Sequence, residues 1–215
     1  MNEFILKSYE LLTVLLPAAA VLFLLRKAYA SKRLSLPPGH FLWLVLFAAY
    51  IGAIFYLTGA GTVYHISLYG LEIRSAQVIV LPFSRKVDFA AYLQNILLFL
   101  PLGMLLPLIW PSLRRLSFTV LSGFSLSLLI EASQLLNNRR TDVDDLILNT
   151  LGALLGYCLF LLLRPALRRI KYQSSGLFKS EPFLYTGALF LGHFLLFNEF
   201  GLARLLYHFW TGATR

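Results

Sequence analysis

The feature that most constrains this chain is a series of apolar runs, each about as long as a lipid bilayer is thick. Five are clear, at about 6–25, 41–59, 95–110, 117–137 and 146–163, and a sixth lies at about 183–200. A hydrocarbon core of ~30 Å needs ~20 apolar helical residues and tolerates ~17. Inside lipid the backbone must satisfy its own hydrogen bonds, so only helices and closed barrels span it. Runs of this length predict an all-α fold: a polytopic transmembrane helix bundle of about six spans, with one long loop. Composition agrees. The 215 residues are 58% hydrophobic and 13% charged, against ~25% charged in a soluble domain. There is too little polar surface to coat a soluble core, and no soluble segment is large enough to act alone.

The third span is the shortest and holds Pro101. Proline removes a backbone hydrogen bond, so a kink is expected there. No internal repeat is visible. The chain divides into 1–40 (a first helix and a basic loop), 41–165 (the main membrane domain) and 166–215 (a second basic loop and a last helix). Cys158, the single cysteine, lies in an apolar run, which excludes a disulfide framework and a cysteine-based metal site. Ala28-Tyr29-Ala30 has the form of a signal-peptidase site. However, Arg26, Lys27, Lys32 and Arg33 follow the apolar run, as in a stop-transfer flank, so the first helix is expected to be retained.

Orientation follows the basic residues. With the N-terminus outside, the segments 26–40, 111–116 and 164–182 are inside and carry eleven of the nineteen lysines and arginines. Glu181 is the one acid on that side. The net charge of +9 is then read as inner-face anchoring to anionic lipid. No nucleic-acid-binding motif is present, and nucleic acid is not an expected partner. The long loop, 60–94, mixes Gly61 and Gly70 with alternating apolar residues such as Ile66, Leu68, Leu71 and Ile73. That pattern suits a hairpin about Gly70 or a re-entrant segment folded over the outer mouth of the bundle.

Polar residues gather at one membrane level, the outer one. The third span opens with Gln94 and Asn95, and the fourth ends with Glu131, Ser133, Gln134, Asn137 and Asn138. The turn Arg139-Arg140-Thr141-Asp142-Val143-Asp144-Asp145 follows, and the fifth span starts with Asp145 and Asn149. Gly123, Ser127, Glu131 and Gln134 share one helical face, and Asp145, Asn149, Gly152 and Gly156 share another. Small residues one turn apart let helices approach closely in lipid. The two faces are therefore expected to pack together, with Gly152 at the contact and Glu131 near Asn149. At ~1.5 Å per residue, Glu131 sits roughly 9 Å below its helix end. An unpaired ionised carboxylate there costs ~2.5 kcal/mol or more, so Arg139 or Arg140 is expected to fold back onto it. A plainer reading competes. Glu131 with an arginine can be a purely structural pair, and Thr141-x-x-Asp144 or Asp142-x-x-Asp145 has the shape of a capping box, with acids suited to a helix N-terminus. Capping explains one or two of the three aspartates. His193, in the last span, reads as a hydrogen-bonding core residue.

Several blocks resemble a known family. They are Leu81-Pro82-Phe83, then Asn95-Ile96-Leu97-Leu98-Phe99-Leu100-Pro101-Leu102-Gly103, then Glu131-x-x-Gln134. The last is Arg140-x-Asp142-x-Asp144-Asp145-Leu146-x-Leu148-Asn149-Thr150-x-Gly152-Ala153-x-x-Gly156. In that order they are similar to the VanZ-like family, bacterial membrane proteins named for an association with low-level resistance to teicoplanin, a lipid-tailed glycopeptide. The resemblance covers about residues 40–165. It implies a plasma-membrane protein of the bacterial cell envelope with a polar outer site, and it implies antibiotic resistance as the associated trait.

Two function classes follow. In the first, the chain is a non-catalytic envelope protein. Its outer polar site, Asn95, Glu131, Gln134, Arg140, Asp142, Asp144, Asp145 and Asn149, engages membrane lipid, a lipid-linked envelope precursor or a lipoglycopeptide. In the second, it is a membrane-embedded hydrolase or transferase. There Glu131, Asp142, Asp144 and Asp145 would hold a hard divalent cation. No histidine accompanies these acids, and matching pairs of broken helices, the mark of a transporter, are missing. The first class is favoured, with no resident metal or cofactor expected and no residue assigned a catalytic role.

Overall fold

The computed structural model describes residues 3–70, 78–84, 88–137, 139–169 and 178–196. Within them the helices are α1 (Glu3–Ser31), α2 (Pro38–Thr58), α3 (Val63–Tyr69), α4 (Phe89–Ile109), α5 (Leu116–Gln134), α6 (Val143–Arg169) and α7 (Glu181–Leu196). A single 3₁₀ turn, Pro111–Leu113, joins α4 to α5. Five stretches are long and apolar enough to cross a bilayer: Ser8–Ser31, Pro38–Ile66, Phe89–Ile109, Leu116–Gln134 and Val143–Ala166. The expected sixth span runs past Leu196 into 197–200, which lie outside the described residues. Large apolar side chains cover the outside of the bundle, with Leu162 77% exposed and Leu57 and Leu24 both 62%. Such a surface is stable only against lipid. The chain is a multi-pass membrane protein of about six spans.

Local rules place the helix ends. Pro38 sits in the first turn of α2, where a missing N–H costs nothing. Gly59 closes α2 at φ 63°, the left-handed conformation that glycine adopts without strain. Asp88 caps α4, its side chain accepting from Ala90 N and Ala91 N at 3.0 and 3.2 Å. This cap starts the third span at Phe89, six residues before Asn95, where the apolar run begins, and gives it a full 21 residues. Pro101 and Pro107 both lie inside α4. Tyr50 OH donates to Leu98 O at 2.6 Å, beside the Leu97 carbonyl that Pro101 leaves without its helical donor.

Contacts between helix ends show two opposed ends. One gathers the end of α2, the start of α4, the end of α5 and the start of α6, through bonds such as Gln134 to Thr58 and Asn95 to Asp145. The other gathers the start of α2, the end of α4 and the start of α7, through His40, Trp110 and Glu181. Helices α4 and α6 therefore run parallel, and α5, which lies between them in sequence, returns antiparallel to both. Their crossing is the tightest in the bundle. A Cβ on Gly152 would run into the Ile96 carbonyl, one on Gly156 into Leu100 O, and one on Gly103 into Ala153 O.

Gly152 was expected against the fourth span, α5, and it packs instead on α4. Steps of ~100° per residue explain the difference. From Asn149, a step of four leads to Ala153 and a step of three to Gly152, which rotate in opposite senses about the helix. Ala153 continues the Asn149 face and meets Gly123 of α5, while Gly152 and Gly156 line the neighbouring face on α4. The α5–α6 contact itself is present.

Described parts of the loop 60–94 pack on the first of these ends, through Gly61, β1 and Phe83, and form no hairpin of their own. Thr62 begins α3 with a capping box shared with His65. Gly70 ends that helix at φ 75°, and Leu71 and Ile73 lie outside the described residues. The strand β1 (Val78–Ile79) pairs in parallel with β2 (Thr141–Asp142), Val78 with Thr141 and Ile79 with Asp142. The core lies between α1, α2, α4, α5 and α7. Phe47, Phe55, Trp110 and Tyr185 are fully enclosed there, and Phe47 meets Trp110 edge to face at 5.1 Å.

Candidate functional site

The polar end is assembled around the turn from α5 into α6. Thr141 and Asp142 lie in β2, so pairing with β1 fixes the backbone before α6 begins. Asp142 Oδ1 accepts from Asp144 N at 3.0 Å, the bond of a helix cap. This is the capping role expected for one of the three aspartates. Asp144, 3% exposed, is engaged at both oxygens: Phe83 N donates to Oδ1 at 2.7 Å and Tyr92 OH to Oδ2 at 2.6 Å. Asp144 thereby ties the loop, α4 and α6 together. Asp145, on the next position, accepts from Asn95 Nδ2 at 2.5 Å.

Glu131 approaches from the other side of the turn. It is 4% exposed, in the last full turn of α5. Its Oε2 accepts from Asp142 N at 3.1 Å, and its backbone carbonyl accepts from Thr141 Oγ1 at 3.2 Å. One turn deeper, Ser127 Oγ accepts from Asn149 Nδ2 at 2.9 Å. Asn149, 2% exposed, thus forms the floor beneath Asp145, and its Oδ1 has no partner. Glu131 and Asn149 are a turn apart along this interface rather than bonded to each other.

One of the remaining expectations turns out differently. Neither arginine of the turn pairs with Glu131, and Arg140 is exposed. Arg139 Nη1 donates instead to Thr58 O at 2.8 Å, at the C-terminus of α2, and fills the space beside Gly59. Gln134 Nε2 also donates to Thr58 O, and Asn137 Nδ2 donates to Gly59 O, each at 2.8 Å. The last carbonyls of a helix lack intrahelical donors and carry its negative pole. They draw these donors and the guanidinium away from the carboxylates. Of the eight candidate residues, Asn95, Glu131, Asp142, Asp144, Asp145 and Asn149 lie around one turn: hydrogen bonds chain Glu131, Asp142 and Asp144, while Asn95 pairs with Asp145 and Asn149 with Ser127. Gln134 faces α2, Arg140 lies at the rim, and Asn138 is outside the described residues.

Sequence reading missed Tyr92 and the Phe83 backbone. The signal for Tyr92 was its position three residues before Asn95 on the same helical face. It also missed a second polar cluster, at the opposite end. Glu181 Oε1 lies 2.7 Å from His40 Nε2 and accepts from Trp110 Nε1 at 3.0 Å, all three residues being 1% exposed or less. His193 behaves as expected, its Nε2 3.4 Å from Ala60 O inside the core.

Among the described residues no three His, Cys, Asp or Glu side chains converge in a way suited to a metal ion. The four carboxylates are each drawn to a separate donor, which is an arrangement for fixing a turn and presenting acceptors. A family model described as VanZ/LLP1 matches residues 18–164. No curated protein and no solved structure matches the chain.

Proposed function

Since the chain belongs to the VanZ/LLP1 family, we propose that it is a non-catalytic protein of the bacterial cell envelope, working in the plasma membrane with both termini outside. Its polar end then faces outward and engages a lipid-linked envelope precursor or a lipid-tailed molecule. Low-level tolerance of a lipoglycopeptide such as teicoplanin is the associated trait. The site comprises Asn95, Glu131, Asp142, Asp144, Asp145 and Asn149, with Gln134 and Arg140 at its edge.

One observation carries this reading. Glu131 lies in the last full turn of a membrane-spanning helix, 4% exposed, with a single side-chain hydrogen bond and no ion pair among the described residues. A carboxyl group buried at a desolvation cost, with Arg139 held at the end of α2 and not paired with it, is what a binding site maintains and what a merely structural helix end has no need of. Glu131→Gln and Asp145→Asn test it in cells. The expected result is normal membrane levels of each variant with loss of the tolerance phenotype. Residual function that simply tracks expression would instead assign these side chains a structural role.

A further inference from the structure

Resting on that reading, we propose that the polar end takes its ligand by a primary ammonium group carried on an amphiphile. The described side chains offer acceptors there and almost no spare donors. Glu131 Oε1, Asp142 Oδ2 and Asp145 Oδ2 are left over after the bonds that fix the turn have formed. Asn149 Oδ1 is buried and without a partner beneath them. No lysine or arginine forms an ion pair with any of the four carboxylates among the described residues, because Arg139 is held at the end of α2.

A ligand that suits this set must bring both positive charge and N–H donors. A primary ammonium has three donors and no acceptor. A phosphate or carboxylate head would meet like charge from the carboxylates, with Arg140 only at the rim, and a quaternary ammonium supplies charge without donors. The acceptors lie at the ends of the membrane-spanning helices α5 and α6, the level at which an amphiphile places its head, so the carrier of the ammonium has an apolar tail. A lipid headgroup and the amine of a soluble amphiphile both meet these terms.

Purified full-length protein in nanodiscs separates the cases. Discs are made of phosphatidylglycerol with an equal share of phosphatidylethanolamine or of phosphatidylcholine with the same acyl chains, and lipids retained after transfer to detergent are measured by native mass spectrometry. Dodecylammonium, titrated into phosphatidylglycerol discs, represents the soluble source. Wild type is expected to prefer phosphatidylethanolamine, or to bind dodecylammonium, over the choline lipid by roughly tenfold, equivalent to ~1.4 kcal/mol. Glu131→Gln and Asp145→Asn are expected to remove that preference, with Glu131→Asp retaining part of it and showing that the fold persists. Preference for the ethanolamine lipid identifies a headgroup, and binding of dodecylammonium alone identifies a soluble ligand. Selective retention of phosphatidylglycerol that depends on Glu131 and Asp145 would overturn the ammonium inference and leave the binding site standing. Retention indifferent to headgroup, amine and both substitutions would overturn the two together.

Discussion

At the scale of single residues, Asp144 and Glu131 divide the labour of the polar end. Asp144 is saturated: its donors come from Phe83 and Tyr92, 61 and 52 residues away in sequence, so the side chain acts as a knot. An asparagine there has one acceptor oxygen and turns an N–H toward the other donor. An unsatisfied buried polar group costs ~1–3 kcal/mol. Asp144→Asn is therefore expected to destabilise the protein by about 2 kcal/mol. Arg140→Ala, at an exposed position, should stay within about 0.5 kcal/mol of wild type. Thermal unfolding in detergent micelles measures both, and equal midpoints for the two variants would remove the knot. The gathering of Asn95, Glu131, Asp142, Asp144, Asp145 and Asn149 was legible in the sequence, since span ends and helical spacing are local properties. Their pairings were not. Arg139 illustrates why: a sequence displays its charge but not the open carbonyls of Thr58 and Gly59 that compete for it.

At the scale of elements, the helices were legible from apolar length, while their neighbours depended on which small residues share a face. Counting glycine steps on the fifth span alone put Gly152 on the wrong partner. Gly103, inside a span read mainly for its proline, supplies the other half of the close α4–α6 crossing. Lipid tails offer helices no hydrophobic drive to associate, so close van der Waals packing and interhelical hydrogen bonds hold such a pair. Gly152→Leu is expected to lower the yield of folded protein several-fold, because even its first carbon meets the Ile96 carbonyl. Gly187 on α7 is the control, since a Cβ there meets nothing within 4 Å. Gly187→Ala should be neutral or stabilising by up to about 1 kcal/mol through helix propensity. Size-exclusion profiles of the two variants test the contrast. A monodisperse Gly152→Leu at wild-type yield would mean that α4 and α6 are further apart than described.

At the scale of the whole molecule, the proposed orientation places the polar end outside and the His40–Trp110–Glu181 cluster inside. Single cysteines at Ser112 and Asn138, introduced into a Cys158→Ala background, probe it in intact cells with a membrane-impermeant maleimide. Labelling is expected at position 138 and not at 112, and the opposite pattern would invert the protein. The location of α7 also has a consequence for how the protein is made. Its Glu181 meets His40, and its Tyr185 OH donates to Leu44 O at 2.9 Å, partners separated by 141 residues in each case. The second helix thus enters the bilayer before the partners of its His40 side chain and Leu44 carbonyl have been synthesised. At ribosomal speeds of ~5–20 residues per second, the interval is on the order of ten seconds. Assembly cannot proceed simply in the order of synthesis: α1 and α2, made early, are completed by α7, made long after them.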